Sequence, residues 1–460
     1  MKLVTFICLL FAVSLSACGS PQLAPTMTAT SLPTNTSIPT PTATPVPMIN
    51  VGGYQIPKDL HDSSIAAFAH AFGIKPEDIG SLTPVVKTEA GNIVFLTTSN
   101  IATQGYDNAG TPLLIGQQDE NGQWQWSEAT ELNLLNILND QRQANDQPKL
   151  YVGNIGRRFI DMFDQAATDK DNLIFGQEFN EKFLGQVWWH QTEQQQDVFT
   201  LDAEIEAAKS AKQNDNFVIG SSLVYPYSDF QYTFLKDMPN LTADQLLSIL
   251  KKHIVGVMTP LKGQVDAWMV VTESRAPTEK DRNGLTYDPD NKIIGEQYIE
   301  EAFQTARDTD PSAKLIYEET LNSEPSGYYG TYTSRTREIV NRLKAKDLID
   351  GIGIEMVIDA SQPVNINQMI KTFKSYGVPV YVTGLTIDTT NVQGANQQKN
   401  ELKTKLYQQI FKGIIDSGVC NVINHWWAAE LGQETQLFDE NLNPTSSLFA
   451  ERKVLFDLIK

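Results

Sequence analysis

Cysteine and basic residues are scarce in this sequence. Only three of the 460 residues are cysteine, and Cys8 and Cys18 both lie in the N-terminal apolar segment. Cys420 therefore has no partner, which excludes a disulfide framework. Lysine and arginine number 36 against 55 aspartate and glutamate residues, a net charge of −19. Because binding phosphate groups requires clustered basic residues, this balance argues against a nucleic-acid partner or an anionic membrane surface.

Several common catalytic and metal-binding motifs are also missing. The five histidines show no zinc-ligand spacing, and the chain contains neither a GxSxG motif nor a phosphate-binding loop. We therefore expect no metal and no cofactor. After the N-terminal segment there is no apolar run of about 18 residues, the length that would predict a transmembrane helix. A neutral polymer, such as a polysaccharide, remains compatible with this composition.

The N-terminus has the pattern of an export signal. Lys2 precedes an apolar run over 3–15, which is followed by Ser16, Ala17 and Cys18. The sequence LSAC resembles a bacterial lipobox, which implies that residues 1–18 are a lipoprotein signal peptide. Cys18 would then carry the lipid anchor and hold an exported protein at the outer face of the bacterial cell membrane. The alternative is an ordinary secretory signal with a chance cysteine.

A linker and a small module are predicted next. Residues 21–47 contain seven prolines and eight threonines, so we interpret 19–48 as an extended stalk. Residues 49–149 predict an α+β module, with a helix near 63–72 and strands near 92–98 and 112–116. Asn121-Gly122 predicts a hairpin turn before Trp124 and Trp126. These tryptophans are either a sugar platform or, more in keeping with aromatic packing, part of a core.

Residues 150–460 alternate between apolar runs and amphipathic segments. This alternation predicts an α/β fold, a (β/α)8 TIM barrel following the small module. Strands are predicted at 173–177, 217–223, 267–272, 313–317, 351–357, 379–385 and 419–425, with one more near 183–188. Helices are predicted at 202–213, 243–261, 296–308, 334–346, 365–376 and 399–417.

Five segments of the barrel resemble glycoside hydrolase family 10, the xylanase family. Residues 263–273 (GQVDAWMVVTE) are similar to the family pattern GKVxxWDVVNE of the fourth strand. Residues 310–315 (DPSAKL) resemble the entry to the fifth strand, and 343–354 (LKAKDLIDGIGI) resemble LKxxGxxIDGIGxQ. Residues 377–383 (GVPVYVT) and 437–444 (LFDENLNP) resemble the seventh-strand approach and the close of the domain. The resemblance implies a carbohydrate-active barrel.

The family carries two catalytic carboxyl groups. A retaining glycosidase needs them about 5 to 5.5 Å apart, one to protonate the leaving oxygen and one to attack the anomeric carbon. The resemblance places Glu273 at the acid/base position, at the end of the fourth strand. The nucleophile position does not match, because residues 383–386 read TGLT where the family reads TELD, so the glutamate is replaced by Gly384.

Other sugar-binding positions of the family are altered too. Thr272 replaces the asparagine before the acid/base, and 220–226 (GSSLVYP) lacks both histidines of the third strand. On the sixth strand Glu355 stands for glutamine and Val357 for histidine. The resemblance implies substrate-binding roles for four residues: Trp189, Tyr225, Thr272 and Trp426.

Three functions are compatible with this pattern. The first is a monomeric, surface-bound hydrolase of O-glycosidic bonds in β-1,4-xylan-type polysaccharide, with Glu273 as the acid and a displaced second carboxyl group. Candidates for that second group are Glu355, first of all, and Glu318, Asp388 and Glu430. The second function is a catalytically inactive surface glycan-binding protein, and the third is a structural surface protein.

Overall fold

A computed structural model describes most of the chain beyond residue 44. The described residues are 45–79, 82–88, 90–98, 102–103, 106–107, 110–155, 176–185, 187–225, 234–238, 241–274, 296–322, 331–426, 437–439 and 441–459. The predicted signal peptide, Cys18 and most of the predicted linker lie outside these residues. Within them, no helix combines the length and the apolar character needed to cross a membrane.

The N-terminal part is built from short antiparallel strands and two helices. Its elements are β1 (Met48–Val51), β2 (Tyr54–Pro57), α1 (Lys58–Phe72), a 3-10 helix (Pro76–Asp78), β3 (Thr83–Lys87), β4 (Ile93–Thr97), β5 (Ala102–Thr103), β6 (Tyr106–Asp107), β7 (Pro112–Gln118), β8 (Trp124–Glu128) and α2 (Glu131–Ala144). Strands pair in the order β3-β4-β7-β8, with β1-β2 and β5-β6 as separate hairpins. This is the α+β character that the sequence predicts.

The predicted hairpin turn lies between β7 and β8. The Asp119 side chain accepts hydrogen bonds from the backbone N–H groups of Asn121 and Gln123, both at 2.9 Å. Gly122 adopts a φ of 76°, which glycine tolerates best. Trp124 and Trp126 after the turn set their rings edge-on to Tyr54, with centroids 5.3 and 5.5 Å away. Both tryptophans are thus part of the packing of the module.

The second part alternates strands and helices. Its strands are β9 (Tyr151–Ile155), β10 (Glu181–Leu184), β11 (Phe217–Gly220), β12 (Ala267–Thr272), β13 (Lys314–Asn322), β14 (Gly351–Asp359), β15 (Val380–Asp388) and β16 (Cys420–Trp426). Its helices are α3 (Trp189–Thr192), α4 (Asp202–Gln213), a 3-10 helix (Phe234–Asp237), α5 (Ala243–Leu261), α6 (Gln297–Thr309), α7 (Thr331–Ala345), α8 (Ile366–Ser375), α9 (Asn396–Ser417) and α10 (Ser446–Ile459).

The eight strands β9 to β16 form a parallel, nearly closed barrel. They are hydrogen-bonded in the order β10-β11-β12-β13-β14-β15-β16-β9. The remaining seam is joined by Asn180, whose N–H donates to the Val152 carbonyl at 3.0 Å and whose Oδ1 accepts from the Val152 N–H at 2.8 Å. The predicted (β/α)8 barrel is therefore confirmed.

The prediction of the first barrel strand was wrong. The apolar run at 173–177 predicted a strand, yet Gly176 and Gln177 belong to a helical turn, and 173–175 lie outside the described residues. The first strand is β9. Its central residue, Gly153, has no side chain and so weakens the alternation of apolar and polar residues that would predict a strand. A Cβ on Gly153 would overlap the Glu181 carboxyl group of β10, so close packing between strands requires a glycine there.

Apolar side chains fill the lower part of the barrel, below the end where the strands finish. The inward-facing residues that form this layer are Phe183, Ile219, Ala267, Met269, Ile316, Tyr381 and Val422. Because side chains alternate along a strand, the next inward position above Ile316 is Glu318, followed by Thr320. The apolar layer therefore supports a polar layer at the carboxyl ends of the strands, where active sites of such barrels lie.

The last helix joins the two parts of the chain. Phe449 of α10 packs its ring 5.2 Å from Phe68 of α1 and belongs to the apolar core of the module. Phe456, two helical turns further along α10, has its ring 5.0 Å from that of Phe95 of β4. Residues from Val46 onward form one compact unit. The division into domains at residues 149 and 150 remains a prediction.

Candidate active site

Glu273 lies directly after β12 and points toward the mouth of the barrel. Its φ of 46° is left-handed, a conformation that is uncommon for a residue other than glycine. Its backbone N–H donates to the Glu318 carbonyl at 2.9 Å, which fixes this turn against β13. The Tyr225 hydroxyl donates to Oε2 of Glu273 at 2.5 Å, and the Thr320 hydroxyl contacts Oε1. Both carboxylate oxygens are thus hydrogen-bonded.

Glu355 faces the same mouth from β14. It is paired in register with Gly384 of β15, directly after an irregularity in the ladder. A Cβ on Gly384 would lie 3.3 Å from Cγ of Glu355 and 3.3 Å from Cβ of Trp426. These are distances tighter than ordinary van der Waals contact. The side chains of Glu355 and Trp426 therefore occupy the space that a side chain at position 384 would need.

One hydroxyl group lies between the two carboxyl groups. Thr320 Oγ1 contacts Oε1 of Glu273 and lies 3.3 Å from Oε2 of Glu355. Two atoms that share one hydrogen-bonding partner lie within about 6 Å of each other. That upper limit includes the roughly 5 to 5.5 Å at which a retaining glycosidase holds its two carboxyl groups.

Burial and mutual repulsion change the acidity of these groups. Burial, with a further contribution from the charge of Glu273, raises the pKa of Glu355 to about 7, while the Thr320 hydroxyl acts in the opposite direction. Glu318 lies below the pair and is 2% exposed. Burial and the charges of Glu355 and Glu273 raise the pKa of Glu318 well above its usual range. The three groups cannot all be ionised together near neutral pH.

The wall beside Glu273 is lined by small hydroxyl side chains. Ser222 Oγ lies 2.6 Å from Thr272 Oγ1 and 3.0 Å from Ser221 Oγ, and a cis peptide bond joins the two serines. Thr272 is 8% exposed. Thr272 is thus bonded to Ser222 and has little surface to offer a ligand, unlike the substrate-binding residue that the sequence predicts.

The barrel matches a known family over nearly its whole length. The pattern of Glycosyl hydrolase family 10 covers residues 152–454, from β9 to α10. The chain belongs to glycosyl hydrolase family 10. The carboxyl ends of its barrel strands are therefore the expected location of a glycosidase site.

Named relatives and solved structures agree with this membership. Endo-1,4-beta-xylanase A of Thermotoga neapolitana is 33% identical over 220 residues, 46% of this chain and 19% of that protein. Endo-1,4-beta-xylanase C of Phanerodontia chrysosporium is 33% identical over 247 residues, 53% of this chain and 58% of that protein. This chain thus spans less than two thirds of either xylanase. The crystal structure of native xylanase 10B from Thermotoga maritima has the same fold, with a TM-score of 0.60, 24% identity and coverage of 72% of this chain and 99% of that one.

Of the family-like tryptophans, Trp426 lies at the site and Trp189 does not. Trp426 ends β16, is partly exposed, and packs beside Gly384 and Glu355. Trp189 is 3% exposed, and its ring stacks on His253 at 4.0 Å with an angle of 9° between the planes. A ring buried in this way has no free face for a sugar, so we remove Trp189 from the candidate site. Sequence could not decide which of the adjacent Trp188 and Trp189 faces the interior.

The remaining candidates for a second carboxyl group fit less well. Glu318 is too deeply buried to reach a ligand. Asp388, at the end of β15, accepts a hydrogen bond from the Thr390 N–H at 2.8 Å and shapes the turn that follows. Glu430, like Trp427, lies outside the described residues. In the part of the chain that the structure describes, no group of three or more His, Cys, Asp or Glu side chains could hold a metal ion.

No motif in the sequence marks Thr320 as a residue of the site. Its only signal is position, since it lies two residues after Glu318 and therefore on the inward face of the same strand. Nothing in the local sequence shows that its hydroxyl meets two carboxyl groups from β12 and β14. The register across three strands creates that contact.

Proposed function

We propose that this chain is a glycosidase that cleaves O-glycosidic bonds of a β-1,4-xylan-type polysaccharide with Glu273 and Glu355 as its carboxyl pair. The observation that carries the proposal is the shared contact of both carboxyl groups with Thr320 Oγ1 at the mouth of the barrel. Membership of glycosyl hydrolase family 10 supports the reaction class. The xylanases among its relatives support the substrate class.

Position assigns the two roles. Glu273 occupies the family acid/base position, and Glu355 lies across the ladder from Gly384, where the family nucleophile is absent. In the first step Glu273 gives its proton to the glycosidic oxygen while the Glu355 carboxylate bonds to the anomeric carbon, and the C–O bond to the leaving sugar breaks. In the second step Glu273 takes a proton from water, the resulting hydroxide bonds to the anomeric carbon, and Glu355 leaves as a carboxylate.

Two further side chains bind or orient in this scheme. Trp426 and Glu355 both lie beside Gly384, which supports a role for the Trp426 ring in stacking on the sugar that is attacked. The Tyr225 hydroxyl, bonded to Glu273, holds the acid in one orientation. A neutral polysaccharide is compatible with a mouth that contains three carboxyl groups, because it adds no negative charge to them.

Anion rescue tests the assignment on the full-length chain. Glu355→Gly should abolish release of reducing sugar from xylan, and added azide should restore cleavage of an activated aryl xylobioside as the α-glycosyl azide. Glu273→Ala should keep activity on the activated substrate and yield the β-glycosyl azide. Asp388→Asn, a carboxyl at the same mouth, should remain within about threefold of wild type.

The rival functions correspond to other outcomes. Binding of xylan by the wild-type chain without release of sugar would replace the hydrolase by a surface glycan-binding protein. Absence of both binding and cleavage over a panel of β-glycans would leave a structural surface protein. An α-glycosyl azide formed by Glu273→Ala instead of Glu355→Gly would reverse the two roles.

We also propose that Cys18 carries a lipid and holds the barrel at the outer face of the bacterial cell membrane. The support is the sequence LSAC after an apolar run, followed by a stalk rich in proline and threonine. Wild-type chain should fractionate with membranes and carry a diacylglycerol mass on its N-terminal peptide. Cys18→Ser should fail to acquire that mass, and a wild-type peptide without lipid would contradict the proposal.

A further inference from the structure

The contact of Thr320 with two carboxyl groups constrains where protons lie. A hydroxyl group has one hydrogen to donate and two lone pairs to accept with. Thr320 Oγ1 contacts Glu273 and lies 3.3 Å from Glu355. If both carboxyl groups were ionised, the single hydrogen could bond only one of them, and the other would face a lone pair.

The arrangement is satisfied when the pair holds one proton. A protonated Glu355 donates to Thr320, and Thr320 donates to an ionised Glu273. The Tyr225 hydroxyl donates to the other oxygen of Glu273 at 2.5 Å, so an ionised Glu273 accepts a hydrogen bond on each oxygen. Glu355 suits the neutral form because burial and the nearby charge of Glu273 raise its pKa to about 7.

This resting arrangement is the reverse of the one that catalysis needs. The nucleophile must be ionised and the acid must be protonated before the glycosidic bond breaks. A proton must therefore leave Glu355 and one must reach Glu273, and among the described residues the Thr320 hydroxyl contacts both carboxyl groups.

We propose that Thr320 is a proton relay that converts the resting form of the Glu273–Glu355 pair into its reactive form, an inference that rests on the proposed function. The O–H bond of Glu355 breaks as its proton bonds to Thr320 Oγ1. The original Thr320 O–H bond breaks as that proton bonds to Glu273. Thr320 ends with one hydrogen, as it began, and the pair keeps one negative charge while the charge moves to Glu355.

Other ionisable groups around the pair do not replace this route. Tyr225 reaches Glu273 from the segment after β11 and contacts the oxygen that Thr320 does not. Glu318, inward-facing on β13, accepts from the Thr383 hydroxyl of β15 at 3.1 Å. Glu319 faces the opposite side of β13, where the Tyr317 hydroxyl contacts it. Burial, together with the charges of Glu355, Glu273 and Glu319, favours the protonated form of Glu318.

The relay predicts a change in titration when the hydroxyl is removed. The hydroxyl stabilises the singly protonated pair over both the empty and the doubly protonated pair, so it spreads the two apparent pKa values apart. Thr320→Val keeps the β-branched shape and should bring those values closer by about one pH unit. Thr320→Ser keeps the hydroxyl and should preserve the wild-type separation.

Infrared titration of the carboxyl stretch on the full-length chain measures this separation without any activity. The spectrum of Glu355→Gln identifies the signals of the pair. Thr97→Val is the matched control, because Thr97 is a fully buried strand threonine of the module whose hydroxyl has no partner. Thr320→Ala serves as a second variant in case the valine prevents folding.

Activity gives an independent result. Thr320→Val should lower kcat for xylan about tenfold with little change in KM, and its bell-shaped pH profile should narrow. Thr320→Ser should recover activity to within about threefold of wild type. Wild-type titration in Thr320→Val and Thr320→Ala, or an equal shift in Thr97→Val, would overturn the relay.

The two proposals fail in different ways. The proposed function fails, and the shared proton stands, if the wild-type chain releases no sugar but Thr320→Val brings the two apparent pKa values of the pair closer together. A chain that cleaves xylan and titrates identically with and without the hydroxyl keeps the function and loses the relay.

Discussion

The molecule contains two clusters of acidic side chains with unusual proton affinities, and they differ in access. At the barrel mouth, Glu273 and Glu355 are partly exposed and share a hydroxyl partner. On the outer side of the barrel wall, Glu131 of α2, Glu451 of α10 and His425 of β16 are completely buried. His425 Nε2 lies 3.2 Å from Oε2 of Glu451.

The buried cluster shows that a shifted pKa alone does not identify an active site. Burial raises the pKa of Glu451 to about 8, and burial with the proximity of Glu451 raises that of Glu131. Burial lowers the pKa of His425 to about 4. These shifts equal or exceed the shift of Glu355, yet no ligand can reach the groups. The barrel mouth differs from the buried cluster in two ways: a ligand can reach it, and two hydroxyl groups contact the Glu273 carboxylate.

The difference between the two clusters is tested most directly by replacing one carboxyl group in each of them with a neutral side chain. Glu355→Gln should reduce kcat/KM for xylan by about 10³-fold, because it removes the carboxylate that we propose as the nucleophile. Glu451→Gln should leave kcat/KM of the folded protein within about threefold of wild type. Steady-state assays on both purified variants measure the effect, and comparable losses in the two would mean that access is not what separates the clusters.

The buried cluster should instead make the free energy of unfolding depend on pH. The folded-state pKa of Glu451, about 8, is above its value of 4.5 in an unfolded chain. The folded state thus retains a proton that the unfolded state loses, so the free energy of unfolding should fall as pH rises from about 4.5 to about 8. The contribution is on the order of 5 kcal/mol.

Denaturant unfolding across that pH range measures this dependence. Glu451→Gln should flatten the fall, because glutamine does not ionise. His425, with a lowered pKa, acts in the other direction below about pH 6.5 in both proteins, so it largely cancels in the difference. An unchanged slope in the variant would show that Glu451 does not hold its proton in the folded state.

A smaller effect is expected at Gly384. Gly384→Ala places a Cβ 3.3 Å from the side chains of Glu355 and Trp426, so both must shift by a few tenths of an ångström. Displacing a reacting group by this amount should lower kcat about tenfold, with little loss of thermal stability. Gly413→Ala, which tests a tight contact far from the mouth, is the control for general packing strain. An unchanged kcat in Gly384→Ala would mean that the position of the Glu355 carboxyl group does not depend on the absence of a side chain at residue 384.

The smallest effect is expected where charges are exposed. His70 of α1 lies 2.9 Å from Asp439, with its side chain 57% exposed. Exposed pairs of this kind contribute well under 1 kcal/mol, so His70→Ala should change the free energy of unfolding by less than about 0.5 kcal/mol. Chemical denaturation at pH 7 measures it, and a loss of several kcal/mol would show that this contact holds the module to the barrel.

Much of the fold could be predicted because it depends on local pattern. Helices α4 and α5 have the predicted limits of 202–213 and 243–261, and β12 has the predicted limits of 267–272. Threonine and glutamine supply the start of α5, since Thr242 and Gln245 cap each other reciprocally. The first strand was not predicted because Gly153, at the centre of β9, interrupts the apolar pattern and is required by its contact with Glu181 of β10.

The site was only partly predictable for a related reason. Glu273, Glu355 and Tyr225 could be proposed because a resemblance supplied their positions, and the structure brings them together. Trp189 could not be oriented, since a ring beside another tryptophan carries no mark of which one is buried. Thr320 could not be found at all, because its importance depends on the strands on either side of it.

The pairing of Glu355 with Gly384 has a consequence for how related chains are judged. Neighbouring strands lie about 4.8 Å apart, which is within the reach of a glutamate side chain. A carboxyl group can therefore change its strand of origin while its oxygens remain near the same point above the barrel. A survey that checks one alignment column would class such a chain as inert. A search for glycine at that column together with an acidic residue on the preceding strand would instead find proteins whose carboxyl group comes from a different strand but lies in the same cleft.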